Sequence, residues 1–224
     1  QKRPGFRAEF RTAAVGGVLF YVLLPLCLYF GSYLPYWGRD PAFSLSDWWQ
    51  CQVSMFSYHA TLKATHPFES RWYTWLLGLR PVWCYRNGYL PYGMKASIAG
   101  MAGPVIWLVG LAALVGLLWH QVSGRGSRQG AGVLILYGTQ LIPWMLVTRC
   151  TFLYHYFPSS MFCLAALALV LARMKHVDWA KKIAAGLCVV ALVLFVLYYP
   201  ALSGLPIPAW WADALNVLPS FGFY

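Results

Sequence analysis

The chain has 224 residues, 60% of them hydrophobic and only 10% charged. Soluble domains average roughly 25% charged residues, so an ordinary water-soluble domain is excluded and a membrane protein is expected. The net charge of +11 invites a nucleic-acid reading, but the basic residues are scattered between apolar runs rather than gathered on one soluble face, which excludes it.

Five runs are long enough to cross a bilayer as helices of about 20 residues. In chain order they are Thr12–Tyr33, Ala96–Trp119, Gly130–Thr148, Pro158–Met174 and Ile183–Tyr199. Inside hydrocarbon the backbone must satisfy itself, which forces helix. The expected fold is therefore an all-α polytopic membrane bundle, a single membrane domain over 1–224 with a long connection at 34–95. Pro25, Pro104 and Pro143 are expected to kink their helices. The chain starts at Gln1 and shows no signal-peptide pattern, so a piece cut from a longer protein is expected.

Charge bias orients the bundle. Lys2, Arg3, Arg7 and Arg11 precede the first span, Arg125 and Arg128 follow the second, and Arg173, Lys175, Lys181 and Lys182 separate the last two. The link after the third span has only Arg149, and the tail from Pro200 has no Lys or Arg. The positive-inside rule puts the N-terminus in the cytoplasm and the tail outside. Connection 34–95 then lies outside with six basic residues, and anion binding is one reason for them to be there.

That connection holds the chemistry-bearing residues. Asp47–Thr65 reads as an amphipathic helix lying along the membrane, with Ser46 as its cap and Pro67 ending it. Gln52, His59 and His66, spaced by seven, would share one face. They would not chelate, because seven helical residues span about 10 Å; the alternative is ordinary headgroup-level polar residues. Beyond Pro67, Arg71, Arg80 and Arg86 lie among Trp72, Trp75, Trp83 and Tyr85. Arginine in that setting suits a phosphate, or it snorkels from an aromatic belt. Glu69 is expected to pair with Arg71 or Arg80.

A second cluster runs from Arg149 through His155 to Pro158. Arg149, placed at the end of a helix, is costly unless paired or wet; a lipid phosphate would suit it, and so would the helix C-terminus itself. Cys27, Cys163 and Cys188 fall in apolar runs as small hydrophobes. A Cys51–Cys84 disulfide would require an oxidising face. With no CxxC pattern, no metal is expected, and nothing calls for a cofactor. Asp40 and Asp47 read as a turn residue and a helix-start residue, and no nucleophile elbow, P-loop or closely paired carboxylates appear.

The run Gln52, Met55, Tyr58, His59, Leu62, His66, Pro67, Ser70, Trp72 and Trp75, followed by Arg80-Pro81-Val82-Trp83 and Tyr85, resembles the C-terminal membrane region of protein O-mannosyltransferases. So does Arg149, Thr151, Phe152, Tyr154, His155, Tyr156 and Pro158, in the right order between the right spans. Leu76 departs from the family, which usually has Pro there. The resemblance implies a GT-C-type glycosyltransferase that moves mannose from polyprenyl-phosphate-mannose to Ser or Thr hydroxyls of proteins at the outer membrane face. The family's acidic catalytic pair belongs to a first outer loop upstream of the region that Gln1–Tyr224 resembles, so this stretch alone is expected to lack it. A loop of this length has no room for the β-trefoil of eukaryotic members, so a bacterial plasma-membrane enzyme is expected. On that scheme Arg149, His155 and His66 recognise the donor phosphate, Arg80 is a further candidate for it, and Gln52 and His59 support the outer loop or meet the sugar. Two alternatives stay open: a related GT-C transferase using another lipid-linked sugar, and a non-catalytic scaffold that binds polyprenyl lipid.

Overall fold

The computed structural model describes residues 5–40, 42–174 and 178–217. Lys2, Arg3 and Lys175 of the basic clusters lie outside the described residues. The chain divides into two compact units, Gln1–Leu62 and Lys63–Tyr224.

In the first unit, α1 (Phe6–Val18), a π-helical turn at Leu19–Leu23 and α2 (Leu24–Gly31) run on without a break, followed by α3 (Leu34–Arg39). The π turn lies just before Pro25, which has no N–H to give and crowds the carbonyl four residues back. A widened turn relieves both problems, so the expected kink takes this form. Helix α4 (Leu45–Thr61) is capped by Ser44, not Ser46. The Ser44 hydroxyl accepts from the Asp47 amide at 3.3 Å, and the Asp47 carboxylate accepts from the Ser44 amide at 2.8 Å. The Ser44 hydroxyl also donates to the Asp47 carboxylate at 2.6 Å, and this bond, then the one from the Ser44 amide, holds the Asp47 carboxyl below its ordinary range.

Helix α4 also ends earlier than expected. Thr61 turns its hydroxyl back onto the Ser57 carbonyl, a bond that competes with the helix, and Leu62 is already extended. Pro67 disfavours helix at His66. His66 therefore lies off the helix, and the expected face of Gln52, His59 and His66 does not form.

In the second unit, α5 (Trp72–Trp75) is followed by β1 (Val82–Arg86), β2 (Met94–Lys95) and β3 (Ser97–Gly100). Four long helices come next: α6 (Pro104–Val122), α7 (Arg128–Met145), α8 (Phe157–Arg173) and α9 (Asp178–Leu202). Then come β4 (Ile207–Pro208) and α10 (Ala209–Ala214). β1 pairs antiparallel with β3, and β2 with β4. The fold is helical as expected, with these two small sheets added.

The second expected span is corrected at its start. Ala96–Gly103 is strand and extended chain, because β1 supplies its backbone partners, and Pro104 opens α6 at its first turn instead of kinking it. Pro143 lies inside α7, which stops two residues later. Arg7–Arg39, α6, Leu153–Arg173 and α9 are long and apolar enough to cross a membrane. The third expected span, Gly130–Thr148, overlaps α7, but Arg128, Gln129, Thr139 and Gln140 make α7 more polar and it is not among these four.

Helices α6 and α8 meet through small residues, as membrane helices do. A Cβ on Gly110 would stand 3.1 Å from Cys163, and Ala166 and Ser159 are fully buried. Tyr137 of α7 and Tyr156 share a hydrogen bond of 3.0 Å at this core. One end of the unit holds Trp107 of α6, bonded to the Trp75 and Leu76 carbonyls, and Ala201 of α9, whose carbonyl accepts from Ser97. At the other end Arg173 donates to Ser127, which caps α7. Among the described residues the cysteines are all free thiols, so the Cys51–Cys84 disulfide is not formed.

Candidate functional site

The two motif segments of the second unit come together although 81 residues separate their central positions. The Ser70 amide donates to the Thr151 carbonyl at 2.8 Å, and the Thr151 hydroxyl donates to the Ser70 carbonyl at 2.8 Å. Both residues are buried. Arg71 adds a bond from Nη1 to the Thr148 carbonyl at 3.0 Å. The Ser70 hydroxyl accepts from the Trp75 indole at 2.9 Å, which fixes Trp75 in the core.

Trp75 forms one wall around His155, with ring centroids 5.9 Å apart and planes 22° from parallel. Trp144, at the end of α7, forms another at 4.2 Å, and Tyr154 a third at 4.5 Å. The His155 Nδ1 lies 2.9 Å from the Phe152 carbonyl and 3.0 Å from its amide. That nitrogen is committed to the local turn, which leaves Nε2 for a ligand. His66 is held in a similar way. Its Nδ1 accepts from the Phe68 amide at 3.2 Å, so the neutral ring carries its proton on Nε2. Its ring meets Phe152 edge-on at 5.1 Å.

Glu69, Ser70, Arg71, Tyr73, Thr74, Arg80, Cys150 and Thr151 line a small polar cavity of about 110 Å³. The expected Glu69 pairing is corrected: among the described residues the only ion pair joins Lys95 and Asp213. Arg80 donates instead to the Glu69 carbonyl at 3.0 Å, and the Glu69 carboxylate accepts from the His66 amide. Burial, and then the Glu69 carboxylate, push the Cys150 thiol up from its ordinary value, while Arg149 and Arg71 pull it back.

Arg149 does not end a helix. Helix α7 stops at Met145, and Arg149 sits half-buried in the loop before the 3₁₀ turn Leu153–Tyr156. The reading of Arg149 as a helix C-terminal cation is therefore corrected. Among the described residues its guanidinium has no hydrogen-bond or ion-pair partner. A half-buried charge left in that state suits an anionic ligand. No three His, Cys, Asp or Glu among the described residues are grouped to hold a metal ion.

His66, Arg80, Arg149 and His155 thus belong to the second unit and surround the Ser70–Thr151 junction. Gln52 and His59 belong to the first. There Gln52 accepts from Tyr29 at 2.5 Å and donates to Tyr33 and to the Trp48 carbonyl, each at 3.1 Å. Its amide is occupied in bracing the aromatic residues of α2–α4. His59 is exposed, edge-on to Tyr58. Sequence reasoning had not singled out Thr151, Ser70, Trp144 or Cys150 as parts of a site. Ser70 and Thr151 did carry a signal, as small polar residues at fixed places in aromatic motifs.

Residues 44–221 match the family profile described as the C-terminal four TMM region of protein-O-mannosyltransferase. The chain belongs to this family. The matched region contains α6, α7, α8 and α9, and the chain is an integral, multi-pass membrane protein. A polyprenol-phosphate-mannose–protein mannosyltransferase of Mycolicibacterium smegmatis is 27% identical over 83% of this chain and 43% of its own length. A protein of the same name from Corynebacterium glutamicum is 21% identical over 80% of this chain and 37% of its own. The chain therefore spans less than half the length of these relatives. The fold is similar to that in the Saccharomyces cerevisiae protein O-mannosyltransferase Pmt1–Pmt2 complex bound to the sugar donor. There the TM-score is 0.67 at 17% identity, over 81% of this chain and 27% of that one.

Proposed function

We propose that the chain is the C-terminal membrane region of a bacterial protein mannosyltransferase that moves mannose from a polyprenyl-phosphate donor to Ser or Thr hydroxyls of exported proteins. The half-buried, unpartnered Arg149 guanidinium beside the Ser70–Thr151 junction carries this reading. The donor's leaving group is a lipid phosphate, and a planar, always-charged fork is the side chain best suited to it.

The chemistry is a displacement at the anomeric carbon. A carboxylate takes the proton from the acceptor hydroxyl as oxygen bonds to carbon and the carbon–phosphate-oxygen bond breaks. Arg149 faces the departing phosphate, with the Nε2 positions of His155 and His66 and the exposed Arg80 as further donors. Gln52, braced by Tyr29 and Tyr33, and His59 support the outer loop or meet the sugar. The base is an acidic residue of the full-length enzyme outside Gln1–Tyr224. Residues 34–95 form an outer loop, with α4 along the membrane surface and the N-terminus cytoplasmic.

The test uses polyprenyl-phosphate-mannose and a Ser/Thr peptide in detergent. The full-length enzyme transfers mannose, and the isolated 224-residue chain does not. Turnover by the isolated chain would place the base among its own six acids, Glu69 first. Failure of the full-length enzyme with mannose but success with another lipid-linked sugar would replace this reading by the related transferase.

A further inference from the structure

An aromatic tip lies just beyond the end of α9. Asn87–Gly93 turns back on itself. The Asn87 side chain accepts from the Tyr89 amide at 2.9 Å, the Pro91 carbonyl accepts from the Met94 amide at 3.1 Å, and Gly93 takes a positive φ of 83°. This turn is tied down on both sides. The Gly93 carbonyl accepts from the Ala209 amide at 2.7 Å, and Lys95 pairs with Asp213 at 2.7 Å. Yet the turn holds Tyr89 and Tyr92 fully exposed, at 100% and 107% of their reference areas, and Trp210 of α10 is 71% exposed.

The level of this tip follows from α9. Its 25 residues extend about 37 Å at 1.5 Å each, more than the hydrocarbon thickness of about 30 Å, so its ends reach the headgroups. Ala201, in the last turn, bonds Ser97, and Ser203 bridges Ile98. Strands β2 and β4 and helix α10 begin within a few residues of that boundary. Their core of Ile207, Ala212 and Leu215 is continuous with Tyr198 and Ala201 of α9. Val193, Val196 and Tyr199 of α9 are exposed, and so are Leu205 and Trp210 beyond its end.

We infer that the Asn87–Gly93 turn and α10 form an interfacial anchor, with Tyr89, Tyr92 and Trp210 seated among the phospholipid headgroups. Tyr and Trp favour that layer because each has an apolar ring and a polar handle. The Lys95–Asp213 pair braces the two halves of the anchor. Its placement beside the sheet that leads back through Val82 to Arg80 sets the candidate site's height above the hydrocarbon.

The test places a photoreactive benzoylphenylalanine at position 89 or 92 of the full chain, one at a time. Each variant is reconstituted in nanodiscs of phosphatidylcholine and phosphatidylglycerol, irradiated, and examined by mass spectrometry. Circular dichroism confirms that each stays folded, as full exposure of both side chains implies. A phospholipid adduct is expected at both positions, unchanged by an added Ser/Thr peptide. No lipid adduct at either position overturns the inference. So does a peptide adduct that displaces the lipid adduct, because the turn would then be a polypeptide-docking surface.

Discussion

Ser70 and Thr151 exchange two hydrogen bonds of 2.8 Å, one from the Ser70 amide to the Thr151 carbonyl and one from the Thr151 hydroxyl to the Ser70 carbonyl. This pair joins the long connection before α6 to the short link before α8. His66, Arg80, Arg149 and His155 depend on it for their common location, because each lies within a dozen residues of one partner.

Replacing Thr151 by Val keeps the shape and removes the hydroxyl. The Ser70 carbonyl, buried with it, loses a donor, which costs about 1–3 kcal/mol. Thr151→Val is expected to lower the thermal midpoint in nanodiscs and to weaken donor binding by the full-length enzyme. Thr151→Ser retains the donor and should recover most of both. Equal loss in the two variants would mean that the methyl group, not the bond, holds the segments together.

Arg149 separates recognition from structure because it caps no helix. Lysine keeps the charge and loses the planar fork. A lost charge-assisted bond costs about 1.5–3 kcal/mol, roughly tenfold or more in affinity. In the full-length enzyme Arg149→Lys and Arg149→Ala are both expected to weaken binding of the lipid-phosphate donor by at least that factor, with normal membrane insertion. Normal binding by both variants would move the phosphate to Arg80 or His66.

Much of this was legible in the sequence, for physical reasons. Four of the five expected spans showed because hydrocarbon forces long apolar helices, while the third, over α7, falls short of that composition. The pairing of the two motif segments was signalled only by their shared composition, since no local rule links Ser70 to Thr151. The end of α4 was missed because an apolar stripe does not record Thr61 bonding back to Ser57. The start of α6 was missed because Ala96–Gly103 is as apolar as the helix that follows, and only its partner β1 makes it a strand. Arg149 read as a helix end because the apolar run continues through Val147, whereas the helix itself stops shortly after Pro143.

Cys150 reports on the polar cavity. Its thiol is raised by burial and then by Glu69, and the thiolate is the reactive form. At a fixed, mildly alkaline pH the raised value leaves less thiolate, so alkylation is slower than for a free thiol. Glu69→Gln removes the raising charge and is expected to speed iodoacetamide labelling of Cys150, read by peptide mass spectrometry. Arg71→Gln removes a lowering charge and should slow it. A rate indifferent to both variants would place Glu69 and Arg71 away from the thiol.

Orientation is open to direct labelling. Leu205 lies beyond α9 on the same end as the candidate site, and Arg125 lies on the other, both exposed. In intact cells an impermeant maleimide is expected to reach a Leu205→Cys variant and to miss an Arg125→Cys variant until the membrane is opened. The opposite pattern would turn the site toward the cytoplasm and remove it from exported acceptors.

Gly78 links the site to the bundle. It adopts a φ of 62°, and a Cβ there would stand 3.0 Å from the Ala102 Cβ. Its neighbours Trp75 and Leu76 give their carbonyls to the Trp107 indole at 3.2 and 3.1 Å. Alanine at 78 meets two costs: the left-handed conformation, about 1–2 kcal/mol, and the collision with Ala102. The Gly78 amide also donates to the Trp75 carbonyl at 3.0 Å, so a shift that relieves the collision disturbs Trp75, one wall around His155. Gly116 of α6 is a suitable reference, because a Cβ there meets nothing within 4 Å and its helix favours Ala over Gly. Gly78→Ala is expected to lower the thermal midpoint in nanodiscs and to weaken donor binding in the full-length enzyme, whereas Gly116→Ala should leave both unchanged or slightly raised. If Gly78→Ala matches Gly116→Ala in both measurements, the turn after α5 is not what positions Trp75, and the surroundings of His155 are set by Trp144 and Tyr154.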